Sequence, residues 1–182
     1  YVYVRYNSPT TMQFAPLNSL GAVEGWRTAT PLGATRRLAK SVANRRHLYA
    51  LGGELGGSVS NAVDFAPADA GGGLGAWAAT TPFTTARRNH AVGVWNDRLY
   101  VVGGYSGAAN LDDVQVGTID SDGSVSSWST TTSLPALRSG HAAIAVDGRL
   151  YVLGGGGAAN RASHSRAGIF TFWAASTTGR PC

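Results

Sequence analysis

The side chains best equipped for chemistry in this chain are arginines. All but one of its 15 basic residues are arginine, and against 10 acids they leave a net charge of +5. Arg36, Arg87 and Arg138 recur at a spacing of 51 residues. A guanidinium presents a planar fork of donors that matches carboxylates, sulfated sugars and backbone carbonyls. Two roles fit a recurring arginine: a ring of positive charge at one mouth of a closed structure, or a clamp on backbone carbonyls that locks adjacent repeats. Recurrence in every repeat favours the clamp, because ligand contacts differ from one repeat to the next. Arg37 and Arg88 stand beside two of these arginines, and Ser139 takes the third place. That pair is the better candidate for recognition.

Other chemistries fall away. His90 and His141 share a column whose third place is Ala39, and the single cysteine is Cys182. A metal site needs more ligands than this, so each histidine reads as a strand-start residue bonded to a loop. Asp120-Ser121-Asp122-Gly123 lacks the remaining oxygen ligands of a calcium loop and reads as a plain turn. Gly71-Gly72-Gly73-Leu74-Gly75 has no Lys-Ser/Thr after it and reads as a hairpin, not a phosphate loop. The basic run Arg36, Arg37, Lys40, Arg45, Arg46, His47 would suit nucleic acid only if exposed aromatics were interleaved with it, and the aromatics fall at repeat positions expected in the core. No nucleophile elbow, zinc-protease motif or catalytic carboxylate pair is present. The sequence calls for no metal, no cofactor and no catalytic residue, and it contains no apolar run of membrane-spanning length or secretory leader.

The elements that position these residues are repeats. Leu48-Tyr49-Ala50-Leu51-Gly52-Gly53, Leu99-Tyr100-Val101-Val102-Gly103-Gly104 and Leu150-Tyr151-Val152-Leu153-Gly154-Gly155 fall in one 51-residue register, as do Trp26, Trp77 and Trp128. Val, Thr, Tyr, Trp, Gly and Ser dominate, which predicts short strands joined by tight turns. Each repeat reads as four strands. His90–Trp95 and Leu99–Val102 make an apolar hairpin over Asn96-Asp97, with Asp147-Gly148 in the matching turn. Apolar residues at nearly every place predict strands buried on both faces. A third strand is expected around Asp113–Ile119. Asx-x-x-Gly turns ending at Gly21, Gly72 and Gly123 lead to a fourth, carrying Val23 with Trp26, Leu74 with Trp77, and Val125 with Trp128.

Four-stranded units at this period, with a diglycine and a recurring tryptophan, indicate β-propeller blades. The strand ending in Gly-Gly, the later tryptophan, and Leu134, Pro135, Arg138 and His141 in a Leu-Pro-x-x-Arg-x-x-His stretch resemble the kelch-repeat family over residues 11–156. The aromatic column (Phe14, Phe65, Val116) lies 12 residues before tryptophan, longer than the family's usual spacing. The fold class expected is all-β, an incomplete kelch-like propeller of about three blade-equivalents. Residues 1–38 would give outer strands of a partial blade, 39–89 and 90–140 whole blades, 141–160 inner strands only, and 161–182 an irregular tail in which Ile169–Trp173 makes a further strand.

The resemblance implies a non-catalytic module that binds a protein or glycan on its loop face. It is similar to bacterial, often extracellular, propellers. Candidate contacts on that face are Arg37, Arg87, Arg88, Arg138, Glu54, Tyr105 and Asn110, while Gly52, Gly53, Gly103, Gly104, Gly154, Gly155 and the three tryptophans serve the scaffold. The alternative is a carbohydrate-active propeller of the sialic acid mutarotase type. The copper oxidase type depends on a cysteine cross-linked to tyrosine, which a lone terminal cysteine does not supply. Since propellers close with about 4–8 blades, missing blades of a longer chain or a second copy are expected to complete the ring.

Overall fold

The structure, a computed structural model, describes residues 2–5 and 12–157. The tail 161–182, with Ile169–Trp173, lies outside them. The described chain is all β: β1 (Val2–Arg5), β2 (Met12–Ala15), β3 (Arg27–Ala29), β4 (Lys40–Asn44), β5 (His47–Leu55), β6 (Ser58–Pro67), β7 (Ala78–Thr80), β8 (Ala91–Trp95), β9 (Arg98–Tyr105), β10 (Asn110–Ile119), β11 (Val125–Thr131), β12 (Ser139–Val146) and β13 (Arg149–Gly156). They form antiparallel meanders: a three-stranded sheet β1-β2-β3, four-stranded sheets β4-β5-β6-β7 and β8-β9-β10-β11, and a two-stranded sheet β12-β13. These are successive propeller blades in an open array, with no closed barrel.

Turn chemistry sets the hairpins. Asn96 and Asp97 (φ 47° and 56°) and Asp147 and Gly148 (φ 50° and 69°) all adopt left-handed conformations. That geometry matches the twist of the paired strands, and Asn, Asp and Gly tolerate it best. The pairing Val94↔Leu99 and Trp95↔Arg98 follows directly from the two-residue loop.

The fourth strands differ from expectation. Only β11 contains its tryptophan; β3 and β7 begin one residue after Trp26 and Trp77. Val23 and Leu74 instead form isolated bridges with Leu17 and Ala68. Gly25 directly precedes Trp26 where β11 has Ser127, and Gly75 stands two residues before Trp77 where β11 has Ser126. Glycine in a strand weakens it, so the first two blades acquire ladder pairing only beyond the indole.

The core lies between sheets, not within one. Tyr49, Leu51 and Val63 of the second sheet meet Leu99, Ile119 and Val125 of the third. Met12, Phe14 and Ala29 pack on Leu48, Ala66 and Leu74. Ala91, Val102 and Val114 pack on Ala143, Leu150 and Val152. Burial of β5 and β9 on both faces follows from sheets stacked on either side. The strands of the last sheet alternate instead, leaving Ile144, Val146, Tyr151 and Leu153 exposed on the face turned away from the third sheet.

Candidate functional site: the blade seams and the loop face

The diglycines explain how the loops reach the seams. Gly52 (φ +56°) and Gly103 (φ +49°) lie so close to the following blade that a Cβ would sit 2.9 Å from the Arg87 carbonyl oxygen and 2.7 Å from that of Arg138. Gly104 and Gly155 crowd their own blade's incoming loop, where a Cβ would meet the Cβ of His90 at 2.7 Å and of His141 at 2.8 Å. Only a residue without Cβ, and with positive φ available, fits both demands.

The recurring arginines occupy these seams. The Arg87 backbone bonds the second sheet, Gly53 donating N–H to its carbonyl at 2.8 Å while its own N–H donates to the Ser60 carbonyl at 3.1 Å. Its fully buried guanidinium reaches into the third sheet, to the Gly103 carbonyl at 2.9 Å and to both carboxylate oxygens of Asp113 at 2.7 Å. One residue thus ties two blades. Arg138 repeats the arrangement, taking the Gly104 N–H at 2.7 Å and donating to the Gly154 carbonyl at 2.7 Å. Arg36 donates to the carbonyls of Ala50 and Ala62 and pairs with Asp64. The expectation that Arg87 contacts a ligand on the loop face is corrected by its complete burial. The guanidinium of Arg138 is likewise directed at a backbone carbonyl of the next sheet.

Sequence reasoning did not find the acids. Asp64 and Asp113 are not in one column; Gln115 is the repeat equivalent of Asp64. The carboxylate has moved by two residues, which in a strand keeps it on the same face. Gln115 supports it, donating to Asp113 at 2.9 Å and accepting the Thr84 N–H at 2.8 Å. Burial raises the Asp113 pKa, but the hydrogen bonds from Arg87 and Gln115 outweigh it and hold the carboxyl below its usual value.

The histidines depart from expectation. Neither ring nitrogen of His90 or His141 has a hydrogen-bond partner of good geometry among the described residues, although both side chains are buried. They are not bonded to a loop. They pack, with Cε1 against Gly52 for His90 and against Gly103 for His141. Burial first, and then the charge of Arg87, push the His90 pKa down to about 3, so the ring is neutral. Burial lowers His141 in the same direction.

What faces solvent is the second arginine of each pair. Arg88 donates Nη1–H to Glu54 Oε2 at 3.0 Å across the seam, and its guanidinium carbon lies 5.3 Å from the Tyr105 ring centroid. Its side chain is 34% exposed, and that of Glu54 15%. Backbone bridges fix both ends, Arg37 with Glu54 and Arg88 with Tyr105. Arg37 is exposed, and its side chain makes no ion pair among the described residues. Asn110 opens β10 opposite Tyr105. The structure therefore brings Arg37, Glu54, Arg88, Tyr105 and Asn110 together along one loop edge and draws Arg87 and Arg138 inward. A positive, aromatic-backed edge of this kind suits carboxylates.

The tryptophans are seam residues too. Trp77 Nε1–H donates to the Thr30 carbonyl at 3.1 Å and Trp128 Nε1–H to the Thr81 carbonyl at 2.8 Å, each in the preceding repeat. Trp26 breaks the pattern, since it is 49% exposed and not part of a core.

Comparison with known proteins agrees with this architecture. Residues 86–116 match the Kelch motif family model. They comprise the loop of Arg87 and Arg88, β8, β9 and most of β10. One repeat thus matches the Kelch motif itself, and the fold is that of kelch-type propeller blades. The chain is similar to the solved structure of YjhT, with a TM-score of 0.62 at 18% identity over 81% of this chain and 46% of that one; at that identity the likeness concerns the fold. It is also 35% identical over 74 residues to a Rho GTPase-activating protein, gacHH, of Dictyostelium discoideum. That match takes in 39% of this chain and 5% of the relative, so the chain spans a small part of the relative and under half of YjhT.

Proposed function

We propose that the chain is a non-catalytic protein-binding module, and that its ligand is an acidic segment received on the loop edge of Arg37, Arg88 and Tyr105. Residues 39–89 and 90–140 serve as its whole blades, and further blades, from a longer chain or another copy, complete the ring. One observation carries the reading. The repeat arginines are consumed inside the seams, whereas Arg37 and Arg88 beside them stay at the surface, one without an ion pair among the described residues and the other stacked on Tyr105. Glu54 orients Arg88 and leaves part of its guanidinium open. A carboxylate there replaces water around two positive groups held by backbone bridges, so little ordering is needed on binding.

The test is binding of fluorescent oligoglutamate and oligolysine peptides by anisotropy at two salt concentrations. The glutamate peptide should bind, more weakly at high salt, and Arg37→Glu with Arg88→Glu should lower its affinity by about tenfold or more. Equal binding of both peptides, or indifference to the charge reversal, would overturn the proposal. Retention of a sulfated glycan but not of the peptide would replace a protein ligand with a sugar.

A further inference from the structure

The loop edge of Arg37 carries two apolar residues that the scaffold does not call for. Leu38 and Leu55 are exposed, Leu38 by 45%, and neither belongs to a core cluster among the described residues. The next repeat has Asn89 and Ser106 in their places. Leu38 follows Arg37 and Leu55 follows Glu54, and Arg37 and Glu54 form an antiparallel bridge. The two leucines therefore flank that bridge, one on either side.

The backbone of Leu38 makes its residue type informative. Each incoming loop crosses the second glycine of its own blade's diglycine. A Cβ on that glycine would lie 2.5 Å from the Arg37 carbonyl oxygen in one blade, 2.9 Å from that of Arg88 in the next and 2.6 Å from that of Ser139 in the last. The residue after each of these carbonyls turns left-handed: Leu38 with φ 53°, Asn89 with φ 53° and Gly140 with φ 69°. The turn is thus imposed within each blade, whatever lies across its seams. Glycine and asparagine accept this conformation readily, whereas the Cβ of leucine crowds the backbone. At this one position the chain holds a leucine that strains its own backbone and buries little apolar surface in return. Strain kept at an exposed place beside a charged group is characteristic of a ligand clamp.

The surroundings define what the clamp takes. Arg37 adjoins Leu38 and makes no ion pair among the described residues, and Arg88 keeps part of its guanidinium open. A purely acidic ligand answers the charges and leaves the leucines in water. A segment with an apolar side chain beside its carboxylate answers both, since burial of the leucines adds to the ion pairing.

We infer that the acidic segment received on this edge carries an apolar residue next to its acid, seated on Leu38 and Leu55 while the carboxylate meets Arg37. The inference rests on the reading of this edge as an acidic-segment site and names which acidic segments it selects. Leu38 is then a specificity residue, retained at a cost in stability.

Two fluorescent peptides of equal charge, Ser-Glu-Leu-Glu-Ser and Ser-Glu-Ser-Glu-Ser, compared by anisotropy with the full chain, test it. The native chain should bind the leucine peptide about three- to tenfold more tightly than the serine peptide. Leu38→Asn, which copies Asn89, should bring that ratio close to one and raise the thermal midpoint by about 2–4 °C. Leu55→Ser, which copies Ser106, should lower the ratio in part. Equal binding of the two peptides by the native chain would overturn the inference and leave the acidic-segment reading standing. A preference that survives Leu38→Asn would also overturn it, and so would a lowered midpoint, which would assign Leu38 to contacts within the chain. Binding of neither peptide would overturn both readings.

Discussion

At the scale of single residues, the structure separates two arginines that adjoin in sequence. Arg87 carries its charge inside, bidentate on Asp113, and Arg88 displays its charge outside. Breaking a buried pair strands its partner, so Arg87→Met should cost about 3–5 kcal/mol in urea denaturation, while Arg88→Met should cost about 1 kcal/mol or less. His90 gives the molecule an acid limit. Its folded pKa of about 3 lies below the unfolded value of 6.5, so the unfolded chain takes up the proton first. Its stabilising contribution is complete above pH 6.5 and is lost progressively as the pH falls towards 3, at up to about 1.4 kcal/mol per unit. Asp113, also depressed, adds a second loss near and below 3.8. Urea midpoints measured from pH 7.5 to 4.5 should fall in the native chain, and in His90→Gln the slope between pH 6 and 5 should flatten. An unchanged slope would show that His90 is not the group responsible. The recurrence of the arginines and the pairing of His90 with His141 were legible because both are columns of a repeat. The Asp113 and Gln115 partners were not, because an acid displaced by two residues leaves the column while staying on its strand face.

At the scale of elements, the diglycine is where strand, loop and neighbouring blade converge. Both register shifts of β5 with β6 and of β9 with β10 fall at or beside it. Gly103→Ala combines positive φ with a Cβ at 2.7 Å from a backbone oxygen that cannot move aside, and should cost about 2–4 kcal/mol. Gly148→Ala, equally left-handed but with nothing within 4 Å, should cost about 1 kcal/mol. Comparable losses in thermal melts of the two variants would refute the close-approach explanation. The strand hairpins were readable from alternating turn residues and apolar runs. The late start of β3 and β7 was not, because a glycine one or two residues before Trp26 and Trp77 delays the ladder pairing that β11 keeps through Trp128.

At the scale of the whole molecule, stability is a chain of nearest-neighbour seams. β5 and β9, each sandwiched on both faces, should exchange their amides slowest, and β3 and β13, at the ends, fastest. Hydrogen exchange followed by mass spectrometry checks this, and uniform protection from end to end would contradict it.

The sequence by itself determined the repeat, the strand hairpins, the glycine positions and the propeller class, because each rests on local periodicity or on a backbone conformation that few residue types accept. It also singled out Arg37 and Arg88, beside the repeat arginines, as candidates for recognition. The tertiary structure alone decided which guanidinium points inward, which carboxylate receives it, that the histidines are packed and neutral, and that Trp26 stands exposed. These outcomes depend on what lies across a seam, from residues about 26 to 74 positions away in the chain, and a 51-residue period places equivalent residues in register without saying which of them touch.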